Sequence, residues 1–207
     1  MSSLSVSDLV VYPGQGEKTD ADMVMIFRPQ RLDGHFSIME GEVRPNELLA
    51  FHTHANEDQH MYIISGELHF EVGGADGLRF VAGAGSHVIK PRGTSHGFWN
   101  LGEETARYVE TSTGDGFEQF IDGRKAGVGS MVGAATAELG MSFEVDRALE
   151  VLKEFQLTGL AGVNLPSPKE LVKDPGFRRM MTESPTAREL FFYLGGTQLR
   201  EMAARLF

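Results

Sequence analysis

Between Met23 and Thr111 apolar runs are short, and turn residues return at close intervals. Met23 to Phe27 is a continuous apolar run. His35 to Val43 alternates, with Phe36 and Ile38 on one face and Ser37 and Met39 on the other. Leu48 to His54 is a third segment, and Met61 to Val72 a fourth, broken near Gly66. The cluster Gly73-Gly74-Ala75-Asp76-Gly77 reads as a hairpin tip. Leu78–Ala82, His87–Lys90, His96–Asn100 and Ala106–Thr111 complete the series. Many short strands at regular spacing bury their apolar faces only by closing into a sandwich or barrel, a class that includes jelly rolls.

The rest of the chain has another texture. Residues 1–20 read as a lead-in with turns at Pro13-Gly14 and Gly16. Gly116 to Ile121 reads as a short helix, and the Gly- and Ala-rich stretch at 126–142 as a linker. Residues 143–207 are expected to be helical. Ser142 is placed to cap a helix from Phe143 to about Gln156, with Val145, Leu149, Leu152 and Phe155 on one face. Ser167-Pro168-Lys169-Glu170 has the form of a capping box. Ser184-Pro185 opens a further helix, which Gly195-Gly196 is expected to interrupt. The apolar stripes of this extension must pack on the barrel or across a homodimer, because exposed stripes of that size would aggregate.

Charge and cysteine content remove several classes of function. The net charge is −10, and the tail from Phe143 carries as many acidic as basic side chains. The whole excess therefore sits on the strand-rich body, which argues against nucleic acid as a partner. With no cysteine, disulfides, thiolate metal sites and cysteine nucleophiles are excluded, and any metal must be held by nitrogen and oxygen. The start MSSLSVSDLVVYPGQ has no basic segment followed by a long apolar run. No stretch reaches the roughly 18 apolar residues that a membrane span needs. A soluble, cytoplasmic protein without a membrane partner is expected.

Two segments carry chemistry. In the first, His52 and His54 stand at i and i+2 on one strand and so point to the same side, able to grip one metal ion together. In the second, Gly85 to Asn100, a turn at Pro91-Arg92-Gly93 delivers His96 onto the next strand. These segments resemble the paired motifs of the cupin superfamily. The first motif is His-x-His, then three or four residues, Glu, six residues and Gly. The second is Gly, five residues, Pro-x-Gly-x-x-His, three residues and Asn. The second is matched in full, and the first at His52, His54 and Gly66, with Gln59 in the glutamate position.

The resemblance covers roughly residues 21–125 and implies a mainly β fold, the double-stranded β-helix or jelly-roll barrel, with a C-terminal α-helical extension. It also implies one divalent metal ion inside the barrel (Fe, Ni, Mn, Co, Cu or Zn) on His52, His54, Gln59 and His96. An amide oxygen can coordinate a metal but is not a base, so Glu40 is the candidate replacement base, and Gln59 and Glu40 are the candidate catalytic residues. Glu57 and Asp58 are less favoured substitute ligands. His35, His60, His69 and His87 are not expected to be ligands. His69 looks solvated beside Glu67 and Glu71. Phe51, Met61, Tyr62, Phe98 and Trp99 line a pocket or fill the core.

Within cupins the chain is similar to single-domain quercetin dioxygenase-like proteins, through the His52 to Tyr62-Ile63 spacing and through Gly116-Phe117-Glu118-Gln119-Phe120. That likeness implies oxygenation of a small enolisable aromatic. The alternative is a non-redox Lewis-acid enzyme, a cyclase, isomerase, lyase or hydrolase acting on a carbonyl compound. A third reading is a small-molecule-binding barrel without catalysis.

Overall fold

A computed structural model describes residues 5–19, 21, 23–32, 34–123, 138–162, 170 and 173–203. The elements run α1 (Val6–Leu9), β1 (Glu17–Lys18), β2 (Val24–Phe27), a 3-10 turn (Pro29–Leu32), β3 (Phe36–Val43), β4 (Glu47–His54), β5 (Gln59–Ser65), β6 (Glu67–Val72), β7 (Leu78–Gly83), β8 (His87–Lys90), β9 (His96–Trp99), β10 (Ala106–Thr113) and α2 (Gly116–Gly123). Then come β11 (Met141–Phe143), α3 (Val145–Glu154), β12 (Gly159–Leu160), α4 (Pro175–Glu183) and α5 (Pro185–Ala203). No described helix is long and apolar enough to cross a membrane.

The strands form two facing sheets, ordered β1-β2-β3-β10-β5-β8 and β11-β4-β9-β6-β7, with β12 lying parallel beside β4. This is the double-stranded β-helix, a mainly β architecture with C-terminal helices. Alternation does the sorting. On β3, Ser37, Met39, Gly41 and Val43 are buried while their neighbours are half-exposed. On β5, Gln59, Met61 and Ile63 are buried while His60, Tyr62 and Ile64 are not. The inward set meets in one cluster that includes Met39, Met61, Ile63, Leu68, Phe70, Phe98 and Tyr108. Gly66, at φ 78°, turns β5 into β6, and a Cβ there would lie 2.8 Å from the Ala106 backbone.

The second sheet is covered on its outer face. Leu48, Phe51 and Trp99 pack there against Ala148, Leu149, Val151 and Leu152 of α3, with Leu157 and Leu190. Farther out, Phe177 and Met181 of α4 meet Phe191 of α5. Polar groups clamp the same layer. Glu71 of β6 is buried at 1% exposure, and Arg147 of α3 donates to both its oxygens at 2.6 Å. Arg79 of β7 adds a third bond at 2.7 Å. Of the face of β6 read as solvated, Glu67 is exposed and His69 half-buried, but Glu71 is interior, sealed by an arginine 76 residues away in the chain.

Other details differ from the sequence reading. Ser142 does not cap a helix. It lies in β11, paired with Thr53, and Glu144 stands at the helix start without a side-chain cap. Gly195-Gly196 does not interrupt α5, which continues to Ala203. Two glycines cost about 1 kcal/mol each in a helix, too little to stop one that is already packed. Helix α4 lies within the stretch expected to be helical, but its own start was not read, although it is signalled by Asp174, whose side chain accepts the Phe177 N–H at 2.9 Å, ahead of Pro175. The expected capping box at Ser167 and most of the expected linker lie outside the described residues. Residues 141–142 of that linker belong to β11.

Candidate metal centre

Three imidazoles meet inside the barrel because β4 carries an irregularity. Leu49 pairs with Phe98, but the next inward pair is His52 with His96, so three steps on β4 match two on β9. Strict alternation from the inward Leu49 would send Phe51 and Thr53 inward and both histidines out. The extra residue is a β-bulge, and it reverses the phase so that His52 and His54 face in. Phe51 then lies on the outer face across Gly97, where a Cβ would come within 2.9 Å of its ring. The Gly that follows His96 thus leaves room for the residue that precedes His52.

The ring centroids of His52 and His96 are 4.4 Å apart, those of His52 and His54 4.9 Å, and those of His54 and His96 5.7 Å. One nitrogen from each lies within 4.8 Å of the others, a group that could hold a metal ion. The far nitrogens fix the tautomers. Nδ1 of His52 meets the Ala50 carbonyl at 2.7 Å, Nδ1 of His96 the Thr94 carbonyl at 3.0 Å, and Nδ1 of His54 the Glu57 carboxylate at 3.0 Å. Carbonyl and carboxylate oxygens only accept, so each Nδ1 carries the proton and each Nε2 offers a lone pair. Nε2 of His54 and of His96 is buried without a hydrogen-bond partner. Burial holds the His52 and His96 imidazoles well below their ordinary pKa, in the neutral form that binds metals. These residues fit a divalent ion.

Gln59 opens β5 on the inward face, 2% exposed, and neither its oxygen nor its nitrogen has a partner. Glu40 does not face the barrel. It shares the outward face of β3 with Phe36 and Ile38, its side chain is 42% exposed, and it lies 3.6 Å from Arg107. It is thus not placed to act as a base at the three histidines. Glu57 was undervalued in the sequence. It is buried, one oxygen orients His54 and the other accepts the Phe117 N–H at 3.0 Å, so it supports a ligand. Asp58 points away, bound to Arg92, whose guanidinium holds its pKa at about 2. Of the remaining histidines, His60 and His87 bond each other at 2.8 Å on the outer face, His69 stacks on Trp99, and His35 is exposed.

The opening beside the histidines is apolar. Phe117 of α2 meets His54 edge-on at 5.3 Å, Phe143 lies 5.7 Å from His52, and Phe120 lies 5.5 Å from Phe143. A cavity of about 60 Å³ touches His52 and is lined by Met23, Leu49, Phe117, Phe120 and Ile121 among others. Of the aromatic and apolar residues expected to line a pocket, Met61 and Phe98 belong to the barrel core, Phe51 and Trp99 lie under the helices, and Tyr62 is exposed. Deeper in the barrel is a charged pair. Lys90 of β8 and Glu110 of β10 are 1% and 3% exposed, and Nζ donates to Oε2 at 2.8 Å.

Residues 36–112 match the family model described as a cupin domain. No curated protein sequence matches the chain. Among solved structures, the chain is similar to a Bacillus halodurans protein (15% identity, TM-score 0.38, covering 39% of this chain and 64% of that one). It is similar to a predicted oxalate decarboxylase from Thermotoga maritima (21%, 0.39, covering 44% and 78%). A third is a putative sugar phosphate isomerase from Acidithiobacillus ferrooxidans (19%, 0.43, covering 53% and 77%). At such identities and TM-scores no substrate or reaction passes from them to this chain.

Proposed function

We propose that this cupin is a metal-dependent enzyme that oxidises a small enolisable compound, dioxygenase fashion, at a divalent ion on Nε2 of His52, His54 and His96 with Gln59 as a further donor. The observation that carries the reading is the set of orphaned, neutral donor atoms converging beside an aromatic mouth. A divalent ion there supplies the positive charge that acidifies a hydroxyl or enol. The chain does the rest. Ala50, Thr94 and Glu57 hold the three rings in one tautomer and orientation. Phe117, Phe120 and Phe143 keep water away and offer flat apolar surface to a substrate. The 60 Å³ cavity, about two waters' share of liquid volume, favours a small substrate over a multi-ring one.

A non-redox Lewis-acid reaction on a carbonyl compound is the second reading. It is favoured by a donor set of three imidazoles and one amide with no carboxylate among them, which leaves more of the ion's charge for polarising a carbonyl. One experiment separates the two. Metal-free protein is reloaded in turn with Fe, Ni, Mn, Co, Cu and Zn and given one-ring enolisable aromatics in an oxygen electrode, then under nitrogen. Metal-dependent oxygen uptake supports the first reading and turnover under nitrogen the second. Undiminished metal content in the His52→Ala, His54→Ala double variant would end both.

A further inference from the structure

We propose that Lys90 is a substrate-binding residue: its ammonium, steadied by Glu110, takes an anionic oxygen of the molecule bound in the barrel, so the substrate is a small carboxylate or enolate. The inference rests on the barrel interior being the site proposed above. Its starting point is the burial of the pair. A fully buried ion pair is seldom more stabilising than well-packed apolar residues of the same size, so stability alone does not account for it. An ammonium has three donors, and among the described residues that of Lys90 donates to Glu110 alone.

Register places further unsatisfied groups around it. Gln59 pairs with Lys90 on one side and with Ser112 on the other, and all three side chains are buried. The Gln59 amide and the Ser112 hydroxyl have no partners. A buried polar group left unpaired is destabilising, and here such groups stand in one cross-strand row. Lys90 starts in this row and reaches from β8 across β5 to Glu110 of β10, two residues from Ser112. Its Nζ also lies 5.4 Å from the centre of the Phe98 ring, two residues along β9 from His96. The interior therefore offers spare donors and a cation next to three neutral metal-binding nitrogens. Glu110 is matched by Lys90, so Glu57 behind His54 is the carboxylate left to offset part of a bound ion's charge. An oxyanion satisfies both the donors and that charge, while its carbon end faces the aromatic mouth.

Acetate and acetamide have the same shape and differ by one charge, and they serve as probes. Calorimetric titrations at pH 6 compare the native protein with Lys90→Met/Glu110→Leu, which removes both charges together, and with Glu110→Gln. Each is run metal-free and metal-loaded, with metal content and melting temperature recorded. The double variant should keep its metal and its melting temperature, lose about tenfold or more in acetate affinity, and bind acetamide unchanged. Glu110→Gln should tighten acetate several-fold by freeing a donor. Equal acetate affinity in all three proteins, or an equal loss for acetamide, overturns the proposal. Because the readout is binding, it is independent of turnover, and a protein that holds no metal would sink the enzymatic reading while leaving the metal-free comparison to judge Lys90.

Discussion

Glu57 shows what a residue can do without touching the reacting atoms. Its carboxylate joins the Nδ1 proton of His54 to the backbone of α2, so ligand orientation and closure of the mouth depend on one side chain. Glu57→Gln keeps the shape and removes the charge. Metal affinity, measured against a competing chelator, should fall about 10- to 100-fold with the fold retained. An unchanged affinity would show that the bond to His54 is incidental. The three histidines were legible because their spacing follows two short motifs. Glu57 was not, because its partners come from residue 117 and a turn of chain that no local pattern announces. Glu40 was misplaced for a different reason. Both faces of β3 carry apolar residues, so period two alone does not tell which face is inside.

The bulge in β4 and its companion Gly97 work as a unit. In Gly97→Ala the new methyl meets the Phe51 ring, which is held from the other side by Arg147, 5.8 Å from the ring. Such overpacking costs about 1–3 kcal/mol. The variant should melt earlier and bind metal more weakly, and adding Phe51→Leu should restore both; failure of that rescue would refute the link. Helix α3 depends on the Glu71 cluster in a similar way. Burial alone would raise the Glu71 pKa, but Arg147 and Arg79 hold it below the ordinary carboxylate value. Arg147→Met should lose up to about 3 kcal/mol at pH 7, the low end for breaking a buried pair because Arg79 remains. The sign follows from the lowered pKa. The contribution is full above the ordinary carboxylate range and is lost as pH falls below that range through the lowered folded-state value, so native and variant stabilities should draw together as the pH is lowered. A gap that does not narrow at all on acidification would assign the loss to packing instead. Most strand positions along the chain could be read from turns and alternation. The bulge could not, since a single extra residue looks like noise in a period of two.

On the scale of the whole molecule, barrel and helices share one wall. Leu48, Phe51 and Trp99 are buried only because the extension covers them, and β11 and β12 complete the edge of β4. A chain ending at residue 140 should aggregate or melt far below the native protein, as judged by gel filtration and thermal unfolding. A monodisperse truncated chain of native stability would show that the barrel stands alone. The helical character of the tail was legible from its apolar spacing. Its place on the second sheet was not, because Trp99 and Phe51 read equally well as barrel lining until the phase of β4 is known.

That shared wall makes the outer layer a reporter of the inner one. His52 and His54 sit directly across the ladder from Phe143 and Met141, and the Glu144 amide is bound to the Phe51 carbonyl at 2.9 Å. Peeling β11 away would loosen the strand that carries two of the three imidazoles, so an ion on those imidazoles resists the peeling. At a free metal concentration 100 times the dissociation constant, this amounts to about 2.7 kcal/mol. Deuterium uptake at Glu144, a residue that touches no metal, should then slow by up to about a hundredfold when the barrel is loaded.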